Sequence, residues 1–111
     1  MRQTAIFAAL VFLAVGASAA HARGDAKSGE TKAAQVCAAC HGADGNKPSA
    51  PDQPVLAGQH SDYLVKALSD YKSGKRTNPI MKAFADTLSK KDMEDVAAWF
   101  SSQKSALHDQ R

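Results

Sequence analysis

Apolar residues return with the period of a helix in three stretches of this chain. Between Ser61 and Gly74, Leu64, Leu68 and Tyr71 recur at i, i+4 and i+7 with Val65 beside them, the stripe of a helix that starts after a Ser61 cap. Gly74 stands where a left-handed residue would end it. After Ser89 a second stripe is made by Met93, Val96, Ala97 and Phe100. Ser89-Lys90-Lys91-Asp92 has the form of a capping box, with Asp in place of the usual Glu or Gln. A weaker pattern spans about Ala26 to Ala38, with Asp25 as N-cap and Ala33, Ala34 and Val36 as apolar positions. A short helical turn is expected around Met81 to Thr87. No segment alternates convincingly with the period of a strand, so the expected class is all-α.

From Gly42 to Gly58 the pattern stops. Gly42, Gly45, Pro48, Pro51, Pro54 and Gly58 punctuate this stretch as a loop. A loop this long inside a small domain is either functional or disordered, and something must hold it against the core.

The N-terminus follows a different rule. Arg2 precedes an uncharged run from Ala5 to Val15, and Ala20-His21-Ala22 fits the small-x-small cleavage pattern, with Ala17-Ser18-Ala19 as a second site. The run is too short to span a bilayer, which takes about 20 residues. The expectation is a cleaved signal peptide at 1–22, a single mature domain at 23–111 with no membrane span, and export to a bacterial periplasm. Loss of Arg2 lowers the formal charge from +3 to +2. With 14 Lys+Arg against 11 Asp+Glu and no basic run, nucleic acid is not an expected partner. The mature chain keeps Tyr63, Tyr71, Phe84, Trp99 and Phe100 as its aromatics. A core of that size is marginal and calls for a further source of stability.

Cys37-Ala38-Ala39-Cys40-His41 supplies one. Cys-x-x-Cys-His is the attachment signature of haem c. Cysteines three apart lie on one side of a helical turn, where each sulfur can form a thioether with a haem vinyl group. The adjacent His41 then reaches the iron as proximal ligand. A thioredoxin-like pair would need a βαβ context, structural zinc would need a fourth ligand, and a plain disulfide would not need the histidine. For the sixth iron position the mature chain offers Met81 and Met93. Met93 falls on the apolar stripe of the last helix and reads as core. Met81 lies in Lys75-Arg76-Thr77-Asn78-Pro79-Ile80-Met81, read as a loop that Pro79 stiffens while it keeps Asn78 extended. Met81 is the expected ligand, with His60 and His108 as rivals.

These residues resemble the class I c-type cytochromes, in particular cytochrome c-553 and one half of the two-haem cytochromes c4, from about Gly24 to Lys104. The likeness rests on Cys37 to Asn46, on Pro54-Val55-Leu56-Ala57-Gly58-Gln59, on Lys75 to Met81 and on Asp95-Val96-Ala97-Ala98-Trp99-Phe100. It implies a fold of three to five helices wrapped around one covalently bound haem. It places Gly29 where the first and last helices cross, with Val96 and Trp99 opposite. Pro54 is implied as the carbonyl acceptor for the proximal histidine, Leu56 as a residue packing on the porphyrin, and Arg76 or Gln59 as a contact for a haem propionate. The implied function is a periplasmic monohaem one-electron carrier, not an enzyme, with His41 and Met81 as axial ligands. The alternative is a haem c electron-transfer subunit of a periplasmic dehydrogenase or oxidase. A haem protein with an open iron position is a third reading, against which Met81 argues. Partners would be redox proteins that dock transiently, and Lys47, Lys72, Lys75, Arg76 and Lys82 would favour an acidic patch on them.

Overall fold

The computed structural model describes residues 24–106 together with Val11. The rest of the expected leader, the cleavage sites and His108 lie outside the described residues. Five helices follow one another: α1 (Ala26–Val36), α2 (Ala38–His41), α3 (Ser61–Ser73), α4 (Pro79–Asp86) and α5 (Lys90–Ser102). There is no strand among the described residues.

Local chemistry accounts for most of the boundaries. Asp25 caps α1 by accepting from the Lys27 N–H at 2.9 Å. The helix stops at Val36, two residues before the expected Ala38, because Cys37, still αR but stretched to φ −108°, interrupts the regular repeat and a new single turn begins. His60, in extended conformation, precedes α3, so Ser61 is its first helical residue rather than its cap. Asp62 in the first turn and Lys72 in the last complement the helix dipole. Gly74 ends the helix at φ 85°, as the sequence implied. Met81 is not in a loop. The Asn78 side chain accepts from the N–H groups of Ile80 at 3.1 Å and Met81 at 3.0 Å, Pro79 sits in the first turn, and Met81 belongs to that turn. A capped residue with proline after it is a helix start, and it places α4 two residues ahead of the expected one. The α5 box is complete: Asp92 N–H donates to Ser89 Oγ, and Ser89 N–H donates to Asp92 Oδ2, both at 3.0 Å.

Helix α1 crosses α5 in the most extensive helix contact of the fold, α3 packs on α5, and α4 packs mainly on α3. The crossing is close because Gly29 has no side chain: a Cβ there would lie 1.9 Å from the Asp95 carbonyl oxygen and 3.0 Å from Trp99 Cβ. Nearby, buried Asp95 accepts from the Asp25 N–H at 2.8 Å and pairs with Lys91 at 2.7 Å. The central cluster is Ala33, Leu64, Val96, Ala97 and Phe100. It is small, with two alanines.

The stretch from Gly42 to Gly58 lacks regular structure yet is pinned throughout. The Gly45 carbonyl accepts from Leu56 N–H at 2.9 Å, Ser49 N–H donates to the Cys40 carbonyl at 2.9 Å, and Gly58 N–H donates to the Phe100 carbonyl at 2.9 Å. Trp99 Nε1–H donates to the Ala43 carbonyl at 3.0 Å. Asn46 clasps the C-terminal segment, donating to the Lys104 carbonyl at 2.9 Å and accepting from Ala106 N–H at 3.0 Å. No described helix is long and apolar enough to cross a membrane.

Candidate functional site

The wrapped loop and the helices enclose a cleft of about 550 Å³, within the range of about 300–1,000 Å³ in which small organic ligands are bound. Its lining comes from every part of the described chain. Cys37, Cys40 and His41 stand at the α1–α2 junction, Pro54 and Leu56 come from the loop, and Met81 comes from α4. All six residues singled out from the sequence are therefore brought to one cavity. Most of the remaining wall is apolar: Leu64 and Leu68 on α3, Phe84 on α4, Val96 and Phe100 on α5.

His41 is 6% exposed, and its Nδ1 lies 2.9 Å from the Pro54 carbonyl oxygen. A carbonyl can only accept, so Nδ1 carries a proton, and in the neutral ring Nε2 then keeps the lone pair. The same contact ties the long loop to the α2 turn. Pro54 itself is exposed while Leu56 is half-buried and packs against the core cluster. Both cysteines are free thiols. Burial pushes the Cys37 thiol up to about 11, so at neutral pH it is protonated and a poor nucleophile in the folded chain.

Two of the rival ligands, Met93 and His60, are placed elsewhere. Met93 is buried in α5 and receives the Ser69 hydroxyl at 3.7 Å, as a core methionine does. His60 is exposed at the start of α3 and does not line the cleft. Gln59 lines it, but its Oε1 accepts from its neighbour His60 N–H at 2.9 Å. Arg76 lines the cleft mouth with Tyr63, which the sequence marks only as aromatic mass, and Tyr71, which it places on the apolar stripe of α3. The guanidinium lies 4.9 Å from the Tyr71 ring centroid and donates to the Tyr63 hydroxyl at 3.4 Å. That hydrogen bond, ahead of smaller charge effects, raises its pKa above the ordinary value. The signal for this array was present: Tyr63 and Tyr71 are about two turns apart on one face of α3.

The donor set suits a particular kind of group. Among the described residues no three His, Cys, Asp or Glu side chains converge on a metal ion, so the wall is not built for a bare cation. It offers one imidazole nitrogen, one thioether, two thiols and an apolar slot. That combination fits an iron carried in a flat apolar macrocycle.

The sequence profile of the family described as Cytochrome c matches residues 26–104. Cytochrome c4 of Pseudomonas aeruginosa is 54% identical over 88 residues, which cover 79% of this chain and 43% of that protein. Cytochrome c-554(548) of Halomonas halodenitrificans is 42% identical over 84 residues, 73% of this chain and 99% of that protein. Among solved structures, reduced recombinant cytochrome c4 from Pseudomonas stutzeri superposes with a TM-score of 0.68 at 48% identity, covering 75% of this chain and 47% of the other. The chain thus spans a little under half the length of the cytochromes c4 it matches.

Proposed function

The chain belongs to the cytochrome c family, with its class I all-α fold and its covalently bound haem c, and we propose that it is an exported monohaem carrier of single electrons. Cys37 and Cys40 would hold the haem through thioethers, and His41 and Met81 would ligate its iron. Bound haem supplies an iron that alternates between ferrous and ferric states.

The protein's own residues set the conditions for that exchange. The Pro54 carbonyl fixes the His41 ring and raises the basicity of Nε2. Leu56, Leu64, Leu68 and Phe100 keep water from the cleft, which favours the less charged ferrous state. Thioether donation from Met81 raises the potential relative to a second histidine. With His41 and Met81 both given to the iron, the cleft would leave no place on it for a substrate. The single observation that carries this reading is the convergence of His41, with Nε2 uncommitted, and Met81 on one apolar cleft.

Docking to redox partners is transient and centres on the cleft mouth. Ile80 (66% exposed) and Phe84 (39% exposed) form an apolar rim there. Lys47, Lys75 and Arg76 offer their charges to an acidic partner. Lys72 donates to the Leu88 carbonyl, and Lys82 to the Lys72 carbonyl and Asp86, so these two are partly committed within the fold.

Purified protein should give a c-type pyridine haemochrome and a reducible visible spectrum. Met81→Ala should keep the covalent haem, lower the midpoint potential and bind carbon monoxide when reduced. An unchanged spectrum and potential in that variant would overturn the ligand assignment.

A further inference from the structure

We infer that Gln53 is the positioning residue that keeps the Pro54 carbonyl on His41 Nδ1 and so sets part of the midpoint potential. The inference rests on the reading that His41 ligates a haem iron in the cleft. The contact between His41 Nδ1 and Pro54 spans 2.9 Å, and the loop must hold the carbonyl at that distance. Pro54 is exposed, so packing does not fix it. Pro48, Pro51 and Pro54 have no N–H to give, so the segment cannot steady itself with a backbone ladder. On the far side of Pro54, Leu56 is anchored through its N–H to the Gly45 carbonyl at 2.9 Å. The near side needs an anchor of its own.

Gln53 supplies it. Its Oε1 accepts from Ser49 N–H at 3.0 Å, Ser49 Oγ at 2.9 Å and Ala50 N–H at 3.1 Å. Two of these donors are backbone N–H groups, so the atom they share must be the amide oxygen. The Gln53 N–H itself donates to the Ala50 carbonyl at 3.1 Å, which closes the turn from both ends. The Ser49 N–H is shared, because it also reaches the Cys40 carbonyl at 2.9 Å. Two neighbours on α2, Cys40 and His41, are thereby joined to two neighbours in the loop, Gln53 and Pro54. One link runs from the Cys40 carbonyl through Ser49 to Gln53, and the other runs directly from the His41 ring to Pro54. Without the first link, the Pro54 carbonyl is steadied from one side only. Gln53 is half-buried in the wall of the cleft itself.

The electronic effect has a definite sign. A carbonyl on Nδ1–H pushes electron density toward Nε2, and a more electron-rich ligand nitrogen favours ferric over ferrous iron. Loosening the carbonyl therefore shifts the balance toward the ferrous state and raises the midpoint.

Haem-loaded wild type, Gln53→Ala and Gln53→Glu, compared by hydrogen exchange in the reduced state and by spectroelectrochemistry at neutral pH, test this. In Gln53→Ala the His41 Nδ1–H should exchange roughly two- to tenfold faster, the population change that one net hydrogen bond is worth. The Gly58 N–H, which donates to the Phe100 carbonyl at the end of the same loop, should exchange at the wild-type rate; a general loss of stability would speed both. At fixed applied potential the ratio of reduced to oxidised protein should rise by roughly two- to tenfold, tenfold corresponding to about 59 mV. Gln53→Glu keeps an acceptor oxygen at the same reach and should restore the slow His41 exchange. Wild-type exchange at His41 in Gln53→Ala, equal acceleration at His41 and Gly58, a midpoint that stays or falls, or no restoration by glutamate would each overturn the role of Gln53 while leaving the haem reading intact. Absence of a haemochrome from wild type would overturn both.

Discussion

Replacing Gly29 with alanine sets helix propensity against close packing. Glycine inside a helix costs about 0.5–1 kcal/mol relative to alanine, so propensity alone makes the change stabilising. The crossing of α1 and α5 acts the other way. The new Cβ would stand 1.9 Å from the Asp95 carbonyl oxygen and 2.5 Å from its carbon, where ordinary contact begins at 3.4 Å. Both atoms are backbone, so no side-chain rotation relieves the clash, and the two helices must part by about 1.5 Å in a closely packed interior. Overpacking of this kind costs about 1–3 kcal/mol and occasionally more, and here it falls on the largest helix contact in the fold. The net expectation is a loss of about 2 kcal/mol, which for a domain of this size lowers Tm by roughly 10 °C. Thermal unfolding of the haem-loaded protein, followed by far-ultraviolet circular dichroism, measures it. Gly74→Ala is the matched control. Nothing lies within 4 Å of that position, but its φ is 85°, so only the left-handed backbone penalty of about 1 kcal/mol applies. A Gly29→Ala protein that melts at or above wild type, or no lower than Gly74→Ala, would refute the reasoning.

Two further outcomes follow from the polar contacts. Asp95→Ala should destabilise by about 1–3 kcal/mol, because it strands the Asp25 N–H at the start of α1. Lys91→Ala should cost less than about 1 kcal/mol, since that partner is largely exposed; equal losses in denaturant titrations would contradict this division. The Asp92 carboxyl is held below its ordinary pKa, first by the Ser89 N–H. A carboxyl depressed in the folded state contributes stability that is fully present above its unfolded value of about 4 and is lost as pH falls toward the folded one. The stability gap between wild type and Asp92→Asn should therefore narrow between pH 5 and pH 2, and a constant gap would count against the capping assignment.

Cys37-Ala38-Ala39-Cys40-His41, the stripe on α5 and the glycine cap at Gly74 could be read locally, because each depends on residues within a turn or two. Met81 was found for the right cleft and the wrong local structure. Asn78 and Pro79 read equally as a stiff loop and as a helix start, and only the two hydrogen bonds to the Asn78 side chain decide between them. The break at Cys37 had no propensity signal, since Val36 precedes it and Ala38 and Ala39 follow it, with neither glycine nor proline nearby. The order in the Gly42–Gly58 stretch was also hidden. It depends on partners far along the chain, such as Phe100 for Gly58 and Lys104 for Asn46. The grip of Tyr63 and Tyr71 on Arg76 needs the turn after α3 to fold back on that helix, which no periodicity reports.

The pairing of α1 with α5 also constrains the order of events during biogenesis. Each helix buries its face on the other, and the 53 residues from Cys37 to Ser89 lie between them, so a polypeptide emerging from its N-terminal end cannot close this contact until α5 has arrived. Until then the Cys37 thiol lacks the cover that makes it unreactive once folding is complete. Late closure leaves a window in which the attachment chemistry can reach both sulfurs, and after it the same contact seals the product.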